Sequence, residues 1–296
     1  MDWVAAVARL RARREPGVLV TVATVRGHAP RRAGAKLVVG RTETWGSIGG
    51  GNIEAVAIDR ARELNGAAGP GSEPGPGPEP ELMEFALNDK VTGRHGVQCC
   101  GGAVTVLLEP LPVVQAVAVF GVGHVGLELA RILARHHLDL HLIDTRPDML
   151  TRERLGVLAD AVAQIHVHHT PLLPEEVLTE LPPGTHVMIM THDHAEDAAL
   201  CDAALRTAGL GSIGLIGSSA KWARFRQRLA TEGGHDAAAI DRIKTPIGIA
   251  EITGKEPATI AVSVAADLLR SFEQDRHRAV PNPVAAVAYA PVAGSA

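Results

Sequence analysis

Ala116-Val117-Ala118-Val119-Phe120-Gly121-Val122-Gly123-His124-Val125-Gly126 is the stretch that decides the fold. Its first five residues are an unbroken apolar run of strand length. Gly121, Gly123 and Gly126 follow as a G-x-G-x-x-G turn, and residues 125–135 carry the apolar spacing of a helix. The first glycine of such a turn permits the tight bend, the second lets backbone approach a phosphate, and the third lets the helix pack on the strand. Unpaired N–H groups and the helix dipole then favour an anion. Residues 140–143 read as the next strand, and Asp144 ends it 18 residues beyond Gly126, where an acid would hold a ribose hydroxyl. A helix N-cap is the other reading of Asp144. A dinucleotide such as NAD(P) is the default ligand of this pattern, another phosphate-bearing molecule its rival, and an empty site the third reading.

Toward the C-terminus, residues 186–190 and 213–216 are apolar runs, and residues 195–208 and 220–231 have helical spacing. A final helix covers 256–272. This alternation predicts a Rossmann-like, doubly wound parallel sheet over 113–273, covered on both faces. Thr191-His192-Asp193-His194 then lies at a strand's C-terminal end, the ligand side of such a sheet, so Asp193 and His194 are candidates for ligand or acid–base contacts. Ser218 and Lys221 sit near a helix start. Arg224, Arg226 and Arg228 read as a solvated face, as do His166, His168 and His169.

Toward the N-terminus, residues 18–25, 36–39, 84–87 and 103–109 read as strands and 52–64 as a helix. Pro110 and Pro112 mark a boundary, which predicts a separate N-terminal α/β domain over 1–112 with a Gly/Pro-rich loop at 65–80. Residues 274–296 have little pattern and read as a disordered tail. Gly49, Gly50 and Gly51 precede the helix and could wrap an anion; an ordinary tight turn is the alternative. Gln98-Cys99-Cys100-Gly101-Gly102 places two adjacent thiols before two glycines. Exposed thiolates there could bind a soft metal or accept sulfur, whereas buried structural thiols are the bland reading. Structural zinc is disfavoured, since there is no second cysteine pair.

The formal charge of -4 over 296 residues is too mild to argue for nucleic acid or an anionic membrane. No apolar run is long enough to span a bilayer. The opening MDWVAAVARLRARREPG reads as an amphipathic helix, not a secretory signal. Three cysteines form no disulfide framework and suit reduced thiols, so a soluble cytoplasmic protein is expected.

Several motifs recur in one order: Arg26-Gly27-His28-Ala29-Pro30-Arg31, Trp45-Gly46-Ser47-Ile48-Gly49-Gly50-Gly51, Gln98-Cys99-Cys100-Gly101-Gly102, the glycine turn at 121–126, Thr191-His192-Asp193-His194, Gly214-Leu215-Ile216-Gly217-Ser218, Pro246-Ile247-Gly248 and Gly254-Lys255. In this succession the chain resembles the XdhC-type accessory proteins of xanthine dehydrogenase, the XdhC/CoxI family, from about residue 18 to 269. His28, where such proteins often carry Ser, and the long 65–80 segment depart from the pattern. The resemblance implies a cytoplasmic homodimer that binds molybdenum cofactor (molybdopterin). It would hold the cofactor while a cysteine desulfurase supplies a sulfido ligand, then deliver it to apo-xanthine dehydrogenase. It implies a maturation factor more than a turnover enzyme, and no catalytic residue is assigned. The positions carried over are Gly49, Gly50, Gly51, Gln98, Cys99, Cys100, Gly101 and Gly102 in the first half, and Gly121, Gly123, Gly126, Asp193 and His194 in the second. Cys99 and Cys100 are the molybdenum or sulfur contacts it suggests.

Two other classes compete. An NAD(P)-dependent oxidoreductase would bind nicotinamide across residues 121–144, but no Tyr-x-x-x-Lys pair is present and the only tyrosine, Tyr289, lies in the tail. A thiol redox sensor would act through Cys99 and Cys100 without any cofactor.

Overall fold

A computed structural model describes residues 1–66, 79–87 and 102–278. They form two compact units, one within Met1–Val113 and the other Val114–Phe272. Residues 98–101, with Gln98, Cys99, Cys100 and Gly101, lie outside the described residues, as do most of the 65–80 segment and the chain beyond 278.

The first unit runs α1 (Trp3–Arg13), β1 (Gly17–Arg26), β2 (Lys36–Val39), β3 (Thr44–Gly46), α2 (Gly51–Gly66), β4 (Glu81–Leu87) and β5 (Gly102–Leu111). The strands form an antiparallel sheet in the order β3-β2-β1-β5-β4. Period-two alternation sends Val18, Val20, Val22, Val104, Val106 and Leu108 to one face, where Ile53, Ala57 and Ala61 of α2 cover them. The other face takes Ala6 and Leu10 of α1 against Val38. Helix α2 runs past the predicted end at residue 64. Asn65 is held there because its side-chain amide donates to the Val39 carbonyl at 3.1 Å.

The second unit runs β6 (Gln115–Phe120), α3 (His124–Leu133), β7 (Leu138–Asp144), α4 (Arg152–Leu155), β8 (Gln164–His169), α5 (Val177–Glu180), β9 (His186–Ile189), α6 (His194–Arg206), β10 (Ser212–Leu215), α7 (Ser219–Thr231), α8 (Ala237–Ile240), β11 (Ile243–Lys244) and α9 (Pro257–Arg278). Its strands are all parallel, in the order β11-β10-β9-β6-β7-β8. Both faces are apolar, as the continuous runs predicted. Val117, Val119, Leu140, Leu142 and Met188 pack on one side with α3 and α9. Ala118, Phe120, Ile143, Val187 and Ile189 pack on the other with α5, α6 and α7. Each fully buried leucine here contributes about 1.5–3 kcal/mol.

Two expectations change. His166 and His168 belong to the edge strand β8 and are not a solvated surface. The His166 ring stacks on buried His141 at 4.5 Å, and His168 Nε2 lies 3.0 Å from His141 Nδ1. Burial, then the neighbouring His166, pushes the His168 imidazole below its usual value. Helix α9 continues to Arg278, beyond the predicted end at 272, because the polar residues that extend it are good helix formers with no apolar mark. No helix among the described residues is long and apolar enough to cross a membrane.

Candidate functional site

The chain builds outward from β6 through β7 to β8, then returns across β6 to lay down β9. That reversal opens a crevice beyond the C-terminal ends of β6 and β9, where ligands of doubly wound sheets bind. Gly121 leaves β6 with φ 98, and a Cβ on it would stand 2.4 Å from the Met190 carbonyl oxygen. A side chain is therefore excluded by strain and by space together. A Cβ on Gly126 would lie 2.1 Å from the Gly121 oxygen, so the third glycine sets how closely α3 approaches the turn. Gly123 differs: nothing lies within 4 Å of its Cβ position. It is the N-cap of α3 and offers the helix no side-chain cap. The start of α3 thus has no capping side chain and open space beside its N-cap, an arrangement that favours an anion.

Asp144, at the end of β7, is buried. Its Oδ2 accepts the Val122 N–H at 2.7 Å and Arg146 Nη2 at 3.0 Å, while its Oδ1 accepts the Arg146 N–H and Nε, each at 3.0 Å. Burial would raise its carboxyl, but these bonds outweigh burial and hold it below the usual carboxylate range. Asp144 caps no helix: Gly123 is the N-cap of α3, and Arg146 precedes the short turn Pro147–Leu150. Its carboxylate braces the glycine turn instead. Arg154 adds a second brace, with Nη2 donating to the Val122 carbonyl at 3.2 Å.

The opposite wall is the loop from β9 to α6. Asp193 is the N-cap of α6 and accepts Ala195 N–H at 2.6 Å and Glu196 N–H at 3.1 Å. The bonds from Glu196 and Ala195 hold its carboxyl below the usual range. His194 is exposed at the first position of α6, its ring meeting Phe225 edge-on at 6.4 Å. Behind them Asp197, fully buried, pairs with Lys221 Nζ. Asp197 Oδ1 accepts the Thr191 hydroxyl at 2.8 Å and its N–H at 3.1 Å, and Lys221 also donates to the Ile216 carbonyl at 3.0 Å. Ser218 caps α7 by accepting the Lys221 N–H at 3.3 Å. Glu196 is half-buried beside Thr145, whose hydroxyl lies 3.3 Å away; burial raises its carboxyl. Sequence reasoning missed Arg146, Arg154, Glu196 and Asp197. A signal existed for Asp197, which shares a helical face with the apolar Leu200 and Cys201.

In the first unit, three motif runs meet. A Cβ on Gly49 would lie 2.7 Å from Pro30 Cβ, and one on Gly102 would lie 2.2 Å from the His28 carbonyl oxygen. Gly49, Gly50 and Gly51 all have positive φ and form a wrapped turn before α2. The turn wraps a carboxylate of the chain itself: Glu54 Oε2 accepts Ile48 N–H at 2.9 Å, Gly50 N–H at 3.0 Å and the Ser47 hydroxyl at 2.6 Å. Burial opposes ionisation of Glu54, yet these donors hold its carboxyl below the usual range. Among the described residues no group of three or more His, Cys, Asp or Glu is placed to hold a metal.

Comparison with known proteins bears on both units. Residues 117–268, just over half of the chain, match the XdhC Rossmann domain. Residues 10–72 match the XdhC and CoxI family. Over 274 residues the chain is 23% identical to the uncharacterized protein YqeB of Escherichia coli (strain K12), covering 91% of this chain and 46% of YqeB. It thus spans about half the length of the curated relative it matches. A crystal structure described as a xanthine dehydrogenase from Bacillus halodurans is 18% identical, with a TM-score of 0.43, covering 92% of this chain and 96% of that one.

Proposed function

The chain belongs to the XdhC family, and from that membership we propose that it is a maturation factor for xanthine dehydrogenase. Its cargo is molybdenum cofactor, whose terminal phosphate sits at the start of α3. A cysteine desulfurase supplies the sulfido ligand while the cofactor is held, and apo-xanthine dehydrogenase receives the finished group. The protein works in the cytoplasm as a homodimer.

The observation that carries this reading is the uncapped N-terminus of α3 beside Gly123. It leaves room and donors for a phosphate at the switch point of the sheet. Gly121 and Gly126 set the turn, and Asp193 and Thr191 shape the facing loop. Cys99 and Cys100 keep the role the resemblance suggests, next to the metal or the transferred sulfur. Gly49, Gly50 and Gly51 form a turn closed on the chain's own Glu54, which takes the amides of Ile48 and Gly50. The third cysteine, Cys201, takes no part: burial pushes its thiol up to about 12, so it stays protonated.

The saturated carboxylate of Asp144 weighs against a plain NAD-dependent oxidoreductase. The test is reconstitution. Apo-xanthine dehydrogenase is mixed with molybdenum cofactor, sulfide donor and desulfurase, with and without this protein, and activity is followed over time. A gain that requires the protein, and is lost in Cys99→Ala or Cys100→Ala, supports the proposal. Equal activation without it overturns the delivery role.

A further inference from the structure

A carboxylate has about four lone-pair sites. Asp144 fills all four with donors from its own chain: Val122 N–H, Arg146 N–H, Arg146 Nε and Arg146 Nη2. Its side chain is 2% exposed and that of Arg146 30%. The acid that could hold a ribose diol is therefore turned inward, and the group presented at the end of β7 is a guanidinium. Arg154 stands on the other side of the same turn, half-buried and bonded to the Val122 carbonyl at 3.2 Å. Its buried Nε has no partner, and it forms no ion pair among the described residues.

Two other acids act on Arg146, Asp148 and Glu196. Asp148 is exposed, where water screens it. Burial, with the nearby charges of Asp144 and Asp197, holds the Glu196 carboxyl above its usual value, which weakens its claim on a cation. The glycine turn is thus flanked by two guanidiniums, only one of which is neutralised by a buried carboxylate.

We infer that this crevice selects a phosphomonoester dianion and rejects a nucleotide whose adenosine ribose carries a free diol. The inference rests on reading the crevice as the ligand site of the family. It adds that Arg146 and Arg154 determine which ligand enters. Guanidinium meets a phosphomonoester with charge-assisted, often bidentate hydrogen bonds, whereas a diol needs the acceptor that Asp144 no longer offers. Two sources share this chemistry, the terminal phosphate of a phosphorylated pterin and the 2′-phosphate of a nucleotide.

Calorimetric titration of the full chain tests it with four probes: NAD, NADP, 2′,5′-ADP and 6-hydroxymethylpterin monophosphate. The phosphomonoester probes should bind about 10- to 100-fold more tightly than NAD, the range expected for hydrogen bonds to a charged group. Arg154→Ala should remove most of that margin and Arg154→Lys should keep part of it. Arg146→Ala should free Asp144 and narrow the gap from the NAD side. Whichever of the pterin and nucleotide probes binds more tightly identifies the source. NAD binding as tightly as the best phosphomonoester probe, or no binding of any phosphomonoester at millimolar concentration, overturns the inference. Should 2′,5′-ADP bind with the stated arginine dependence while the protein carries no pterin, the inference stands and the maturation reading falls. Should pterin be retained regardless of both arginines, the maturation reading stands and the inference falls.

Discussion

Arg146 grips both oxygens of Asp144 from two residues away, Nε on Oδ1 and Nη2 on Oδ2, each at 3.0 Å. That pair holds the first loop of the parallel sheet, because the same carboxylate accepts the Val122 amide at 2.7 Å. A residue placed where a dinucleotide site keeps a ligand acceptor has become part of the scaffold.

The pair makes stability depend on pH with a definite sign. The Asp144 carboxyl is held below its usual value in the folded protein. The unfolded chain therefore binds its proton at higher pH, at about 3.9. The stabilisation is present above that value and is lost as pH falls through the lower folded value. Urea unfolding between pH 3 and pH 7 should show wild-type stability dropping at the acid end. Asp144→Asn should flatten that drop and cost about 1–3 kcal/mol at pH 7. Superimposable pH profiles would show that Asp144 does not contribute to the acid sensitivity of the fold.

Gly121 and Gly123 should behave oppositely although both belong to the same turn. Gly121→Ala meets a positive φ and the Met190 carbonyl, and should destabilise the fold by about 1–3 kcal/mol. Gly123→Ala meets open space at φ -71 and should leave the melting temperature nearly unchanged. Its methyl group would occupy the space in front of the α3 amides, so phosphate-bearing ligands should weaken at least tenfold. A Gly123→Ala protein that binds normally would place the ligand elsewhere.

Lys221 and Asp197 join across 24 residues to hold Thr191 at the crevice wall. Lys221→Met leaves a buried charge unpaired and should cost about 3–5 kcal/mol. Adding Asp197→Leu should recover much of that loss, since a buried ion pair replaced by apolar groups is often neutral. A double-mutant cycle from denaturant unfolding reads this directly. Additive losses would show that the two side chains act independently.

Glu54 closes the glycine turn before α2 through Ser47, Ile48 and Gly50. Glu54→Ala should cost about 1–3 kcal/mol and speed hydrogen exchange at the amides of Ile48 and Gly50. Unchanged exchange would mean that the turn is held by other contacts.

The parallel unit was legible because its buried strands are continuous apolar runs and its turn needs glycine at fixed places. Strand β8 was not: Gln164-Ile165-His166-Val167-His168-His169 lies at an edge, so half its side chains are polar and the alternation reads as surface. Strands β3 and β11 are too short for any period to show. Within the crevice, Gly121, Gly123 and Gly126 announced themselves, and Asp193 was singled out, although its geometry is that of a helix cap. Arg146 and Arg154 carried no signal, since an arginine after a strand reads as a solvated charge until its partners are seen. Asp197 shares a helical face with Leu200 and Cys201, which hinted at its burial, but its partner Lys221 lies on another helix and a linear pattern does not pair them.

The proposed cargo of this protein is molybdenum cofactor. The most direct measurement is to purify it anaerobically from cells that make the cofactor, then determine bound molybdenum by mass spectrometry and released pterin by fluorescence. Pterin is expected in stoichiometric amount, reduced in Gly123→Ala and in Cys99→Ala or Cys100→Ala. Protein free of both pterin and molybdenum, yet binding NAD tightly through an intact turn, would contradict it.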